Sequence, residues 1–237
     1  LDLDAQKVME RLVKETADKT GNHRVSAFAM NPENGEILAM VSWPTYDNNE
    51  FINGINQKKY SAYLDNPDNP LFNRVISGLY PPGSTVKLIV AAAALEEDII
   101  TKNTSINSVG GIDVGGTFYK DWKAGGHGIT NVAKALAWSV NSFFYYVGGG
   151  YKNFIGLGID RLDKYFSIFG LGQKTAIDIP GESAGFIPSK DWKLKAKGES
   201  WYVGDTYNVS IGQGDLLVTP LQVGVWTAAV ANGGYLV

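Results

Sequence analysis

Ser84 is the only serine of the chain followed by a lysine three positions on, in Tyr80-Pro81-Pro82-Gly83-Ser84-Thr85-Val86-Lys87. Two prolines and a glycine end any preceding element. The alanine-rich apolar run Val86–Leu95 behind them predicts a buried helix. Ser84 then stands at a helix N-terminus, where free N–H groups and the helix dipole favour negative charge. Lys87 follows one turn later on the same face. A hydroxyl beside a candidate base is what covalent acyl chemistry needs. On those four positions alone, an ordinary N-cap with a solvated lysine is the better reading. The flanks change that. An ammonium inside so apolar a helix is costly unless paired or neutralised, and a lysine that loses its proton there becomes a base.

A second polar group interrupts apolar helices. Ser139-Val140-Asn141 separates a helix predicted over 131–138 from another running through Phe143 to Val147. Its polar side chains therefore sit at a junction inside helical structure and must find partners. Taken alone, this is a capped helix corner. The other Ser-x-Asn, Ser105-Ile106-Asn107, lies in a polar turn region and carries no assigned role.

The elements that must position these residues follow from periodicity. Residues 5–17 have one-faced helical spacing. Two apolar runs, 25–30 and 36–41, flank Asn31-Pro32-Glu33-Asn34-Gly35 and predict a β-hairpin. Residues 43–83 read as a long ordered loop with short helices, and 101–128 as turns. A helix is expected over 158–169 and a loop over 170–192. A last helix starts with Thr219 as N-cap and Pro220 at its first position. The order implies an α+β fold, with strands toward the chain ends packed by helices from the middle.

Composition bounds the function. The 237 residues carry a formal net charge of −3 without basic clusters, which argues against nucleic acid as a partner. There is no cysteine, hence no disulfide and no thiolate metal site. The longest apolar run, Leu88–Leu95, is far short of the ~20 residues of a membrane span. His127 and Asp121 are two possible metal ligands, and two do not make a site. His127 is read as a hydrogen-bonded loop histidine, Asp178 and Asp205 as turn carboxylates, and the six tryptophans as core or loop anchors. No cofactor and no metal are expected.

Ser84-x-x-Lys87 followed by Ser139-x-Asn141 resembles the first two signatures of the penicillin-binding protein and serine β-lactamase superfamily. Further stretches are similar to class B, elongation-type members, the penicillin-binding protein 2 group. They include Asn73-Arg74, Tyr119-Lys120-Asp121-Trp122, Gly126-His127-Gly128 and Phe169-Gly170-Leu171-Gly172. Ile177-Asp178-Ile179-Pro180-Gly181-Glu182, Trp201 to Thr206, Ile211-Gly212-Gln213-Gly214 and Thr219-Pro220-Leu221-Gln222 complete the likeness, which covers nearly the whole chain.

The resemblance implies a β-lactamase/transpeptidase-like α+β fold, a helical subdomain plus an antiparallel sheet flanked by helices. Residues 1–42 would be the N-terminal helix and hairpin, and 43–237 the mostly helical part with the active-site motifs. It implies a peptidoglycan D,D-transpeptidase. Ser84 would attack the D-Ala-D-Ala carbonyl, Lys87 would take its proton, Ser139 would relay a proton to the leaving amine, and Asn141 would orient the substrate amide. β-Lactam antibiotics would acylate Ser84. Implied partners are peptidoglycan stem peptides, a glycosyltransferase and elongation-complex proteins. The implied location is the outer face of the bacterial cell membrane, on a single-pass anchor outside this chain.

The family's third signature, Lys-Ser/Thr-Gly, occurs nowhere; Lys174-Thr175-Ala176 is a decoy. The later sheet strands are accordingly expected to be missing, and the chain by itself to be weakly active or inactive. A serine β-lactamase and a non-catalytic β-lactam sensor or cell-wall scaffold are the alternatives. A long-lived acyl-enzyme favours the transpeptidase over the first. Ser84→Ala should abolish penicillin labelling of either enzyme, and cells that need the protein but tolerate that change would favour the scaffold.

Overall fold

A computed structural model describes residues 1–237. The chain forms two compact units. One comprises Leu1–Leu79, Lys174–Ala184 and Thr219–Val237, the other Tyr80–Gln173 and Gly185–Val218.

In the first unit, α1 (Leu3–Thr20) is capped by Asp2, which accepts from the Asp4 and Ala5 amides, and stops at left-handed Gly21. Strands β1 (Val25–Met30) and β2 (Ile37–Trp43) form the expected antiparallel hairpin, with Phe28 opposite Met40 and a bulge at Ala29/Met30. The Gln6 carboxamide bonds both the N–H and the carbonyl of Met40, so a side chain replaces a neighbouring strand there. Phe28, Met30, Ile37, Met40 and Ile177 pack on buried Val75, Ile76 and Leu221. A short helix, α2 (Gln57–Leu64), lies in the segment read as loop with short helices. The last helix, α9 (Pro220–Ala231), begins as expected. Thr219 accepts from the Gln222 amide, the Gln222 side chain bonds back, and Pro220 fills the first position. Lys174-Thr175 closes a local turn, with the Thr175 N–H and hydroxyl both on the Glu182 carboxylate.

The second unit holds α3 (Lys87–Glu96), α4 (Val132–Ala137), α5 (Asn141–Gly149), α6 (Gly158–Ile168), α7 (Lys190–Lys197) and α8 (Val203–Ser210). Helix α5 packs on both α3 and α8 and buries Phe143, Phe144 and Val147 completely. Its glycine end permits a close approach: a Cβ at Gly148 would lie 1.7 Å from Ser210 Oγ.

The middle of the chain holds four short strands where turns were expected. β3 (Ser105–Ser108) pairs with β6 (Gly128–Asn131), and β4 (Gly111–Val114) with β5 (Thr117–Lys120). The strands therefore do not lie only toward the chain ends. The β4–β5 turn is Gly115-Gly116, both residues with φ positive (59° and 83°). That is a two-residue hairpin signal, masked by the brevity of the flanking strands. Helices α7 and α8 have no counterpart among the expected elements. α7 carries legible stops, a Ser189 N-cap and left-handed Gly198, but its charged sequence lacks an apolar stripe. No helix is long and apolar enough to cross a membrane.

Candidate active site

The serine and the lysine are placed by the start of α3. Residues Gly83–Val86 form a 3-10 turn, and the α-helix proper begins at Lys87, so Ser84 stands on the tightened entry turn. The loop before it rests on Gly212. The Gly83 N–H bonds the Gly212 carbonyl at 2.9 Å, and a Cβ at Gly212 (φ +72°) would lie 2.0 Å from the Gly83 carbonyl oxygen. Gly212 thus shapes the segment that presents the hydroxyl. In the sequence, only the run Ile211-Gly212-Gln213-Gly214 marks a tight turn there, with no hint of what it touches. Ser84 is exposed, whereas Lys87 is 1% exposed.

Ser139 and Asn141 come from the corner between α4 and α5. Ser139 has φ +52°, the left-handed conformation that glycine usually supplies at a helix end. The hydrogen bonds make a full C-terminal cap. The Val140 N–H reaches the Ala135 carbonyl at 2.9 Å, and the Ser139 N–H the Leu136 carbonyl at 3.2 Å. Val140 and Ala135, the apolar pair that accompanies such a cap, are both fully buried. A strained non-glycine backbone at a polar side chain marks a position where the side chain matters.

The two segments meet through hydrogen bonds. Lys87 Nζ donates to Asn141 Oδ1 at 2.6 Å, to the Ser139 carbonyl at 2.9 Å and to Ser139 Oγ at 3.1 Å. Ser139 Oγ donates to Ser84 Oγ at 2.8 Å. All four sequence-derived site residues are thus within one network. One expectation changes. The lysine does not bond the nucleophile directly; the path from Ser84 Oγ to Lys87 Nζ runs through the Ser139 hydroxyl.

Burial holds the Lys87 pKa down, from 10.5 to about 8, and the Asp121 carboxylate opposes that in part. Its three acceptors are neutral oxygens, and its ammonium also lies 5.3 Å above the Phe144 ring. The group is therefore not held wholly neutral, as burial alone suggested. Near neutral pH the ammonium predominates, and the amine appears in quantity around pH 8. Such a centre can activate a hydroxyl for attack on a carbonyl and return the proton to a leaving group.

Behind the corner lies a polar cluster. Asp121 Oδ2 accepts from the Ser142 N–H and hydroxyl, both at 2.8 Å, and Oδ1 accepts from the Trp122 N–H at 2.8 Å. The Asp121 and His127 side chains are 0% and 1% exposed, with His127 Nε2 3.5 Å from Asp121 Oδ1. That nitrogen has no hydrogen-bond partner, so the expected hydrogen-bonded histidine is held by its backbone instead, its N–H on Ser108 Oγ. Asp205 is not in a loop turn; it lies in the first turn of α8 and pairs with Lys193 at 2.7 Å. Of the tryptophans, Trp226 is core, while Trp122 and Trp138 stand more than half exposed beside this corner, the Trp122 indole donating to the Trp138 carbonyl.

Comparison with known proteins gives this geometry a context. Residues 25–237 match the family model of the penicillin binding protein transpeptidase domain. The chain is 41% identical over 220 residues to the peptidoglycan D,D-transpeptidase MrdA of Acinetobacter baumannii, covering 92% of this chain and 32% of that protein. It is 40% identical over 236 residues to MrdA of Escherichia coli strain K12, covering 99% of this chain and 35% of that protein. The chain thus spans about a third of these relatives' length. Among solved structures it resembles penicillin-binding protein 2 of Pseudomonas aeruginosa in complex with WCK 5153, with TM-score 0.82, 39% identity, and coverage of 94% of this chain and 50% of that one. It resembles penicillin-binding protein 2 of Helicobacter pylori equally, with TM-score 0.82, 42% identity, and coverage of 94% and 41%. With the serine, the lysine and the Ser-x-Asn corner joined in one network and the family model spanning them all, the chain belongs to the penicillin-binding protein transpeptidase family.

Proposed function

We propose that this chain supplies the serine acyl-transfer centre of a peptidoglycan D,D-transpeptidase of the elongation type. The observation that carries the reading is the Ser84–Ser139–Lys87 chain, with a buried lysine that meets no carboxylate. Its polarity depends on the lysine. As an ammonium, Lys87 donates into Ser139 Oγ, which then donates to Ser84, and the nucleophile keeps its own proton. As an amine, Lys87 accepts from Ser139, Ser139 accepts from Ser84, and the Ser84 oxygen attacks the carbonyl between the terminal D-alanines. The proton returns from Lys87 through Ser139 to the departing D-alanine amine, leaving an ester on Ser84. An amine of a second stem peptide then displaces Ser84 and forms the cross-linking amide. The Ser84 N–H, at the start of its turn, is one oxyanion donor, and Asn141 orients the substrate amide.

β-Lactams would form the same ester. The likeness to relatives named peptidoglycan D,D-transpeptidase, at 41% and 40% identity, supports a transpeptidase over a β-lactamase. By likeness to its relatives the centre would work outside the cell membrane, beside a glycosyltransferase and elongation-complex proteins. Solved structures of relatives include a complex between penicillin-binding protein 2 and MreC from Helicobacter pylori and a peptidoglycan synthase complex. The substrate carboxylate and a second oxyanion donor would be served by a Lys-Ser/Thr-Gly strand, a signature these residues do not contain. Labelling of the full-length protein with a fluorescent penicillin tests the reading. One slowly released label per molecule is expected, absent in Ser84→Ala. Labelling that survives this change refutes the serine, and rapid turnover of penicillin favours the lactamase.

A further inference from the structure

Helix α5 begins without a cap of its own: Val140 occupies the N-cap position and has no side chain that could accept a hydrogen bond. Yet this is the helix whose first residue, Asn141, receives Lys87 Nζ at 2.6 Å. The missing acceptor comes from elsewhere in the chain. Asp121, just past β5, places one carboxylate oxygen on the N–H of Ser142 and on its hydroxyl, while the other oxygen holds the Trp122 N–H. Asp121 is itself fixed by its own N–H on the Gly110 carbonyl. A buried anion on a helix N-terminus satisfies an otherwise orphaned donor and complements the dipole.

We infer that Asp121 is a positioning residue for acylation: its carboxylate caps α5 and thereby holds the Ser139–Asn141 corner in the register that receives the Lys87 amine. The inference rests on the proposed role of Ser84 and Lys87. The sequence offered Asp121 as half of an incomplete metal pair and as part of the Tyr119–Trp122 stretch, with no link to the corner, because nothing in the spacing of 121 and 142 brings them together.

The charge has a second consequence. Asp121 favours the ammonium form of Lys87 against the opposing effect of burial. The groups around the carboxylate are His127, with Nε2 at 3.5 Å, Lys87, and the phenol of Tyr145, which burial and then Asp121 push up to about 12. Lys134 on α4 is engaged elsewhere, its Nζ on the carbonyls of His127 and Ile129. Of these groups Lys87 is the one hydrogen-bonded into the Ser84 relay, so it carries the Asp121 charge into the acylation profile.

Two variants of the full-length protein test this, with the rate of fluorescent-penicillin acylation followed against pH and normalised to folded, titratable sites. Asp121→Asn keeps the shape, but it removes the charge and turns an amide NH2 toward one of the donors. It is expected to lower the plateau rate ~10-fold, the scale of a lost helix cap, and to move the acid limb to lower pH. Ser142→Ala keeps the charge and the Ser142 N–H bond, and removes the hydroxyl's bonds to Asp121 and to Ser108 Oγ. It is expected to lower the plateau several-fold and leave the limb in place. A general loss of folding moves neither quantity after normalisation. An Asp121→Asn profile that overlays wild type, or a limb that stays in place, overturns the inference. If that variant does not fold, a wild-type plateau in Ser142→Ala overturns it alone. Neither result touches the Ser84 reading, which fails only if label appears in Ser84→Ala.

Discussion

Two lysines are buried in the unit that carries the site, and they behave in opposite ways. Lys87 is 1% exposed and Lys193 6%. Each lies about 5 Å over an aromatic ring, Phe144 and Tyr202 respectively. Lys193 meets carboxylates: Asp205 at 2.7 Å and Glu199 at 3.6 Å. Its pKa is raised, chiefly by the hydrogen bond to Asp205. Lys87 meets only neutral oxygens, and burial lowers it to about 8. Burial alone therefore does not make a base. Burial without a contacting carboxylate brings a lysine toward the range where it can lose its proton, and the carboxylate that acts on Lys87 from a distance, Asp121, is kept one residue behind the corner by Ser142. Lys193 links α7 to the start of α8, where Asp205 also accepts the Tyr202 N–H. Its partner makes it a strut.

The contrast is broken most directly by removing each amine in turn. Lys87→Met is expected to slow acylation ~10²–10⁴-fold, the usual scale of general-base help. Lys193→Met should leave the rate per folded molecule near wild type. Equal losses in stopped-flow labelling would erase the distinction.

Giving Lys87 the kind of partner Lys193 has is the next largest change. Asn141→Asp sets a carboxylate where Nζ now finds an amide oxygen at 2.6 Å. The lysine pKa should rise from about 8, as an adjacent opposite charge favours the ionised form by ~1–3 units. In wild type, acylation should climb with pH through about 8 and level above it. In the variant the climb should move to higher pH, with a loss of ~10-fold or more at pH 7. An unmoved limb would show that the limb does not belong to Lys87.

Stability should separate the two by sign. The folded pKa of Lys87 lies below its unfolded value near 10.5, so the folded state binds fewer protons between pH 8 and 10.5 and gains stability as pH rises there. The swing is about 3 kcal/mol. Lys87→Met lacks it, so urea unfolding should show the difference between the two proteins shifting in favour of wild type over that interval. Lys193 has a raised folded pKa; its contribution is complete below 10.5 and lost as pH rises beyond. Lys193→Met should cost about 1–2 kcal/mol at pH 7, since Asp205 is partly solvated and keeps the Tyr202 N–H. A neutral effect at pH 7 would make the strut a surface pair only.

The same contrast sorts what could be read in advance. Lys87 was legible because its local surroundings, Val86 and Leu88 to Leu95, are apolar, and one helical turn sets its distance from Ser84. Lys193 sits in a charged octapeptide with no apolar stripe, so neither its helix nor its burial showed. The hairpin β1–β2 and the Thr219–Pro220 helix start were legible for the same local reason: turn and cap chemistry involve residues within a few positions of one another. Strands β3 to β6 were not, because four-residue strands carry too short an alternation to be distinguished from turns.

By itself the sequence determined the chemical vocabulary of the site: a serine and a lysine one turn apart, a polar break at 139–141, and the α+β character of the chain. Those depend on helix pitch, capping and apolar spacing, which act over a few residues. Tertiary structure alone decided that Ser139 stands between the serine and the lysine, that Gly212 supports the loop before Ser84, and that Asp121 caps α5. Each of these joins residues tens of positions apart. Their partners are chosen by which helices the core packs together, and backbone spacing carries no record of that choice.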